Sequence, residues 1–499
     1  MKLLLLLAGL LAAFEVAWRL SPALRPHRAQ LRLLLAVFWS VVFATYFGAR
    51  WGLVPEAFRI GDHGVLRFAV DSLIYQGQAA ELAAAVAAHG ISALFQGDYF
   101  AYARLMAVLY TVSYADPLTG MVFNAVFYIT SVSCVFVLTE SLLGERAAVA
   151  ATWLGGLWPG FLFHEMQTLR WAATTAGIHL ALMGMGRVLG PRPSTSSVAA
   201  VLLGFLLVVF DLPWTAQVMA GWMFVWAVVL FVPAVWTPGL RRRAVLVALL
   251  ALTMIPLYRS LWPATVPPLV TEYLAAGSPA YDGTVFESGP ATSAGEEPGA
   301  WQRATAVLVD QVRGRFEAQV IRIVDMRDRA IADALAATEQ RGQYANAGHG
   351  AATALVDARN SVRTAGDLVR NLPLAFATVF LEPAPAALLG GSTGMSNIRP
   401  YVFPEMAVYY LLLPFTAIGI AVRLASRGQG VGPTLFLVAF VLAVYAILGT
   451  IVMNAGTLYR LRLPYVLIQF GFAVAGLQWA AWRLGWMRPP AIATAGDVP

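Results

Sequence analysis

The sequence predicts an all-α polytopic membrane protein: a helical bundle of about eleven transmembrane helices with a helical hairpin outside the bilayer. Three observations carry that prediction. Of 499 residues, 59% are hydrophobic and only 12% charged, with a mean hydropathy of +0.68, whereas a soluble chain carries about 25% charged residues. Mostly apolar runs of about 18 or more residues recur, each long enough to cross roughly 30 Å of hydrocarbon. Arginines collect in alternate connections between those runs, the asymmetry that orients a membrane protein.

In order, the runs fall near 3–19, 33–51, 117–140, 147–163, 170–188, 197–212, 214–235, 244–262, 405–423, 433–453 and 464–483. The first follows a single charge, Lys2, and runs on through Glu15, Trp18 and Arg19 with no small-residue cleavage site. It therefore reads as a retained span and not as a secretory leader. One set of connections receives Arg19, Arg25, Arg28 and Arg32, then Arg146, Arg187, Arg192, Arg241 to Arg243, Arg423, Arg427, Arg483 and Arg488. That side is cytoplasmic by the positive-inside rule. Eleven crossings then place the N-terminus outside, the C-terminus inside, and two long segments, 52–116 and 263–402, outside. The expected organisation is an N-terminal transmembrane module (1–262), an extracytoplasmic loop domain (263–402) and a C-terminal transmembrane module (403–499).

Charge distribution excludes a nucleic-acid binder. The formal net charge is +7, but residues 263–402 hold 11 arginines against 14 acids, a net of −3. The positive excess lies in short connections, where it meets membrane lipids and not a polyanion groove. Cys134 is the only cysteine and falls inside a run, so no intrachain disulfide or cysteine metal site forms.

In the first external segment an amphipathic stretch from Val65 to Ala88 follows Gly61-Asp62 and is expected to lie along the membrane surface. In the second, apolar residues recur at Val309, Val312, Phe316, Val320, Ile323, Ile331 and Leu335, close to a helical period. A second stripe runs Leu355, Val362, Val369, Leu372 and Phe376. The two stripes predict a hairpin packed over the membrane mouth. Ser278–Gly299, rich in Gly, Pro, Ser and acid, predicts a loop.

No Walker loop, zinc-protease motif, Gly-x-Ser-x-Gly elbow or dinucleotide fingerprint is present. The chemistry on offer is carboxylates and arginines on the outer face. Asp62 and His63 open the first loop, and Asp71, Glu81, Asp98 and Asp116 follow. His164, Glu165 and Arg170 crowd the short connection after the fourth run. Arg460 and Arg462 lie in what reads as a short external loop, against the arginine rule. A carboxylate at this surface takes a proton from an attacking hydroxyl or holds a divalent metal. Arginines bind a departing phosphate through their planar forks. Asp62 is the first candidate base and Glu165 the second; Arg460, Arg462 and Arg170 are the candidate phosphate ligands, and Asp62 with His63 the candidate metal ligands. Each has a plainer reading. Asp62 caps the following helix, Glu165 is a satisfied loop acid, and Arg460 and Arg462 anchor lipid headgroups.

The stretch from Gly61-Asp62 through Tyr102–Tyr110 to Pro117–Asn124 resembles the first external loop and next span of C-type (GT-C) membrane glycosyltransferases. So does Leu142-Leu-Gly-Glu-Arg146, leading through Leu157-Trp-Pro159 to Met166-Gln-Thr-Leu-Arg170. The nearest likeness is to bacterial relatives of protein O-mannosyltransferases and of the aminoarabinose lipid A transferase. It covers about residues 33–190 and, more loosely, 371–484. The resemblance implies a polyprenyl-phosphate-linked sugar donor, a lipid, glycan or protein acceptor, inverting transfer, an extracytoplasmic site in a bacterial plasma membrane, and a catalytic role for Asp62. The chain departs from the family pattern where a second acid often stands: His63 follows Asp62, and Trp171 follows Arg170. Two alternatives stay open, a cell-surface polysaccharide polymerase or ligase and a non-enzymatic scaffold or transporter. A transporter should carry buried midplane charges, and Glu15 and Glu140 are weak candidates for that.

Overall fold

In the computed structural model, the described residues are 1–265 (apart from 57, 58, 61–63, 67, 68, 70, 98, 191, 192, 212 and 235–237), 365–381, and 399–488 (apart from 427–429 and 452–454). They are almost entirely helical. The strands among the described residues form a two-stranded antiparallel pairing, β1 (Arg59–Ile60) with β2 (Val65–Leu66), in which Ile60 opposes Val65. Six helical stretches are long and apolar enough to cross a membrane: Lys2–Leu20, Arg25–Arg50, Pro117–Leu143, Val402–Ala425, Val431–Thr450 and Leu458–Arg483. The chain is thus an all-α, multi-pass membrane protein. Helices also lie at the other five expected runs, and among the described residues those six stretches are the ones long and apolar enough to cross.

Chain contacts divide the molecule into two units. The first comprises Met1–Pro267, Asn397–Val444 and Arg460–Pro499, and the second Pro268–Ser396 with Tyr445–Tyr459.

The first unit begins with α1 (Lys2–Leu20) and α2 (Arg28–Arg50), clipped together where the Glu15 carboxylate receives the Arg32 guanidinium. After the strands come α3 (Asp71–His89) and α4 (Ala101–Val112). The expected amphipathic stretch therefore starts later than Val65: Val65 and Leu66 are strand, and the helix opens at Asp71. Next are α5 (Pro117–Phe123) and α6 (Ala125–Leu143). Asp116 caps α5 by accepting from the Leu118 N–H, Pro117 fills the first helical position, and Gly144, at φ 90°, ends α6. The run expected at 147–163 is two helices, α7 (Glu145–Gly156) and α8 (Pro159–Met166). They part at Trp158-Pro159, because proline has no N–H to continue the ladder and disfavours a helical residue before it. Helices α9 (Trp171–Val188), α10 (Thr195–Asp211), α11 (Pro213–Ala234) and α12 (Pro238–Thr265) follow.

Small residues set the closest helix crossings, as expected where lipid offers no hydrophobic drive between helices. A side chain at Gly177 of α9 would meet the Gly204 carbonyl of α10 at 2.8 Å, and one at Gly184 the Ser197 carbonyl at 2.7 Å. Farther along are α13 (Ala365–Leu381), α14 (Arg399–Ala425), α15 (Val431–Ile451) and α16 (Ala455–Arg483). A side chain at Gly419 of α14 would strike the Phe472 carbonyl of α16, and one at Gly476 the Phe415 carbonyl.

In the second unit α13 packs on the end of α15. The Phe380 ring lies 5.1 Å from that of Tyr445, and a side chain at Gly449 would collide with the Ala375 backbone. Helix α13 takes up Val369, Leu372 and Phe376 of the second expected stripe. The stripe from Val309 to Leu335, the loop 278–299, Leu355 and Val362 lie outside the described residues, and so does the expected hairpin as a whole.

Candidate functional site at the 164–170 turn

Helix α8 is only eight residues long and ends in His164, Glu165 and Met166. Its first turn is fixed from far away in sequence: a Glu405 Oε2 on α14 accepts from the Gly160 N–H at 2.9 Å. A carboxylate there satisfies an otherwise orphaned donor and favours the positive pole of the helix.

Beyond α8 the backbone turns through Gln167, Thr168 and Leu169 to Arg170, and side chains from three other elements hold it. Asn124, between α5 and α6, donates its amide to the carbonyls of Glu165 (3.0 Å) and Gln167 (2.6 Å). The Tyr102 hydroxyl of α4 donates to Asn124 Oδ1 at 2.9 Å. The Leu66 N–H of β2 donates to Gln167 Oε1 at 3.1 Å, and Gln76 of α3 donates to the Thr168 hydroxyl. Asn124, Gln167 and Thr168 are fully buried. Each such bond nets about 1 kcal/mol, but leaving a buried partner unmade costs roughly 1–3 kcal/mol. The turn is therefore set by a network that tolerates few vacancies. Around it, Tyr75, Leu82, Tyr102, Met106 and Tyr110 of α3 and α4 pack on Leu169, Trp171, Ala172 and Ala176. Helices α3 and α4 thus rest on the start of α9.

Glu165 is 1% exposed, and its Oε2 has no hydrogen-bond partner among the described residues. Burial pushes its carboxyl well above the usual range, and the nearby Thr175 hydroxyl works in the opposite direction. Burial therefore favours the neutral carboxylic acid, a form able to donate a hydrogen bond. Next to it, His164 donates from Nδ1 to the Gly160 carbonyl at 2.7 Å. Burial pulls the imidazole down to about 3; the Gly160 bond opposes that, and the positive charge of Arg460 adds to it. His164 is neutral.

The arginines divide. Arg170 immediately precedes α9 and is half-buried, its guanidinium 5.3 Å from the Phe100 ring centre and 6.0 Å from that of Tyr75. Arg460 and Arg462 are not in a loop as the sequence suggests. Both lie on α16, where residues two apart point to different sides. Arg462 is 1% exposed, with Nη2 2.8 Å from the Met406 sulfur and its guanidinium 5.1 Å from the Tyr409 ring centre. Arg460 is half-buried and acts on His164.

Asp62, His63 and Asp98 lie outside the described residues. The strands on either side of Asp62 are described, and they are tied to the turn through the Leu66–Gln167 bond. Gly64, at φ 71°, sits against the Tyr46 backbone with no room for a side chain. Asp116 is structural, since besides capping α5 it accepts from the Tyr46 hydroxyl at 3.0 Å. Glu81 accepts from Tyr99. Among the described residues no three His, Cys, Asp or Glu side chains gather as a metal site.

Sequence reasoning missed Asn124, Gln167 and Glu405. Glu405 had a signal, being the only acid between residues 400 and 490 and at the head of an apolar run. Asn124 and Gln167 had none beyond being amides next to apolar runs. No protein-family model matches this chain, and no curated protein matches it either.

Proposed function

We propose that the chain is a membrane glycosyltransferase of the GT-C type, moving a sugar from a polyprenyl-phosphate donor to a lipid, glycan or protein acceptor. The reading takes eleven crossings, a bacterial plasma membrane and a site on its extracytoplasmic face. One observation supports it: β2, which follows Asp62 in sequence, is bonded through Leu66 to the buried turn that carries Glu165 and Arg170.

In this scheme the Asp62 carboxylate takes the proton of the acceptor hydroxyl as its oxygen attacks the anomeric carbon. The bond from that carbon to the phosphate oxygen breaks, and its electron pair leaves with the lipid phosphate. Arg170 and Arg460 hold the phosphate charge. Glu165, carrying its proton, donates a hydrogen bond to a phosphate oxygen. Arg462, sealed against Met406 and Tyr409, fixes the α14–α16 wall behind Arg460. No step passes through a metal.

The test is the lipid-linked sugar itself. A strain lacking the protein should accumulate one polyprenyl-phosphate sugar, cleared by the wild-type gene and not by Asp62→Asn. Sidedness is read by impermeant thiol labelling in intact cells: Ser288→Cys should react and Ser426→Cys should stay silent. An unchanged lipid pool in the deletion strain, or the reverse labelling pattern, rejects the reading.

A further inference from the structure

At the opposite end of α14, Arg423 presents an electrostatic problem that the described residues leave unsolved. It lies in the last turn of the helix and is only 7% exposed. One nitrogen is satisfied, Nη1 donating to the Ser426 hydroxyl at 2.8 Å, and that hydroxyl donates on to the Arg423 carbonyl at 2.7 Å. The Nε is buried with no partner. No carboxylate among the described residues pairs with the guanidinium. The connection from Leu424 to Pro433 contains no Asp or Glu, and neither does α15.

The guanidinium also packs against Gly430, closely enough that any side chain there would overlap it. Gly430 accepts the first helical bond of α15, from the Thr434 N–H at 3.0 Å, so the guanidinium stands at the positive pole of a 21-residue helix. A buried cation beside a helix N-terminus, with no anion, costs free energy. Thr434, one turn into α15 on the face that Gly430 begins, is fully buried, and its hydroxyl is unpartnered too. An unfilled guanidinium donor thus lies at the positive pole of α15, with a second unfilled donor, the Thr434 hydroxyl, one turn further along the helix.

We propose that this corner is a phosphate-binding site, with Arg423 Nε, the Thr434 hydroxyl and the start of α15 as the ligand set. Oxygens of a phosphate group accept from both donors and neutralise both charges. The site is separate from the sugar-transfer site and stands whether or not that reading holds. The phosphate comes from a lipid headgroup or from solution, and the two sources are separable.

The experiment follows thermal unfolding of the full-length protein in dodecyl maltoside. Phosphatidic acid, diacylglycerol with the same tails, or inorganic phosphate against chloride at matched ionic strength is added. Wild-type protein should gain several degrees with phosphatidic acid and none with diacylglycerol. A gain with inorganic phosphate as well identifies a soluble ligand; its absence identifies the headgroup. Arg423→Gln should lose the response, and Thr434→Val, which keeps the packing, should weaken apparent affinity roughly tenfold. Thr434→Val carries the test if Arg423→Gln does not fold. No response in wild type, or an unchanged response in either variant that folds, overturns the proposal.

Discussion

The two ends of the first unit handle polar groups in opposite ways. Where α1, α2 and α7 begin or end near residues 15–32 and 145, charges meet at the surface. Arg19 is 66% exposed in its pairing with Glu15, and Glu145 is 67% exposed in its pairing with His27. At the other end, around residues 116–124 and 160–170, the polar groups are interior and held by backbone bonds. Exposed pairs gain little because water screens them, whereas buried amides and acids cost free energy unless every partner is present. The first end can serve orientation with almost any arginine-rich sequence. The second requires particular side chains, and the one Glu165 oxygen left without a partner among the described residues costs free energy there.

The contrast breaks most sharply at Glu165. Glu165→Leu removes the hydrogen-bond donor at similar volume, so the proposed transfer should fall roughly 10–100-fold while the protein stays folded. Equal rates for wild type and variant in purified, donor-supplied assays would make Glu165 a packing residue. Asn124→Leu comes next. It deletes two donated bonds and the acceptor for Tyr102, and should lower unfolding stability by about 3 kcal/mol, measurable by denaturant titration in mixed micelles. A smaller effect is a pH slope. The His164 value, held near 3 against about 6.5 when unfolded, means that the unfolded chain binds the extra proton between those values. Stability should therefore fall as pH drops through that window. Glu165 works the other way, its folded value being raised, so its contribution is lost as pH rises through that value. Melting curves from pH 4 to 8 should show the acid-side slope in wild type and a flatter one in His164→Gln. Least of all, Glu145→Ala at the exposed end should melt with wild type; a clear loss there would dissolve the distinction between the ends.

The helical, multi-pass character was legible in the sequence, because apolar length reports on a bilayer, which acts on composition alone. Asp116 and Pro117 marked a helix start, and Gly144 marked a helix end. The split between α7 and α8 at Pro159 was visible as a proline but was read through as one span, since hydropathy is blind to a missing N–H. The site was legible only in its charged members. Glu165 and Arg170 stood out, but their anchors, Asn124, Gln167 and Glu405, act through geometry that joins residues tens to hundreds apart. The loop expected at Arg460 and Arg462 failed for a similar reason: Leu458, Leu463 and Tyr465 bury against the rest of the bundle, and that packing carries the helix through the two charges.

The bond from Glu405 to Gly160 spans 245 residues, and that distance orders events during synthesis. When α8 enters the membrane, the chain that will supply its capping carboxylate has not yet been made. Until α14 emerges, the Gly160 N–H must rely on water or lipid headgroups, and the turn bearing Glu165 is attached to a helix whose first turn is not yet secured. Completion of this end therefore waits for the C-terminal third of the polypeptide. A ribosome stalled before residue 405 would leave a fragment with its spans inserted and this end unfinished, the state that membrane quality control is placed to recognise.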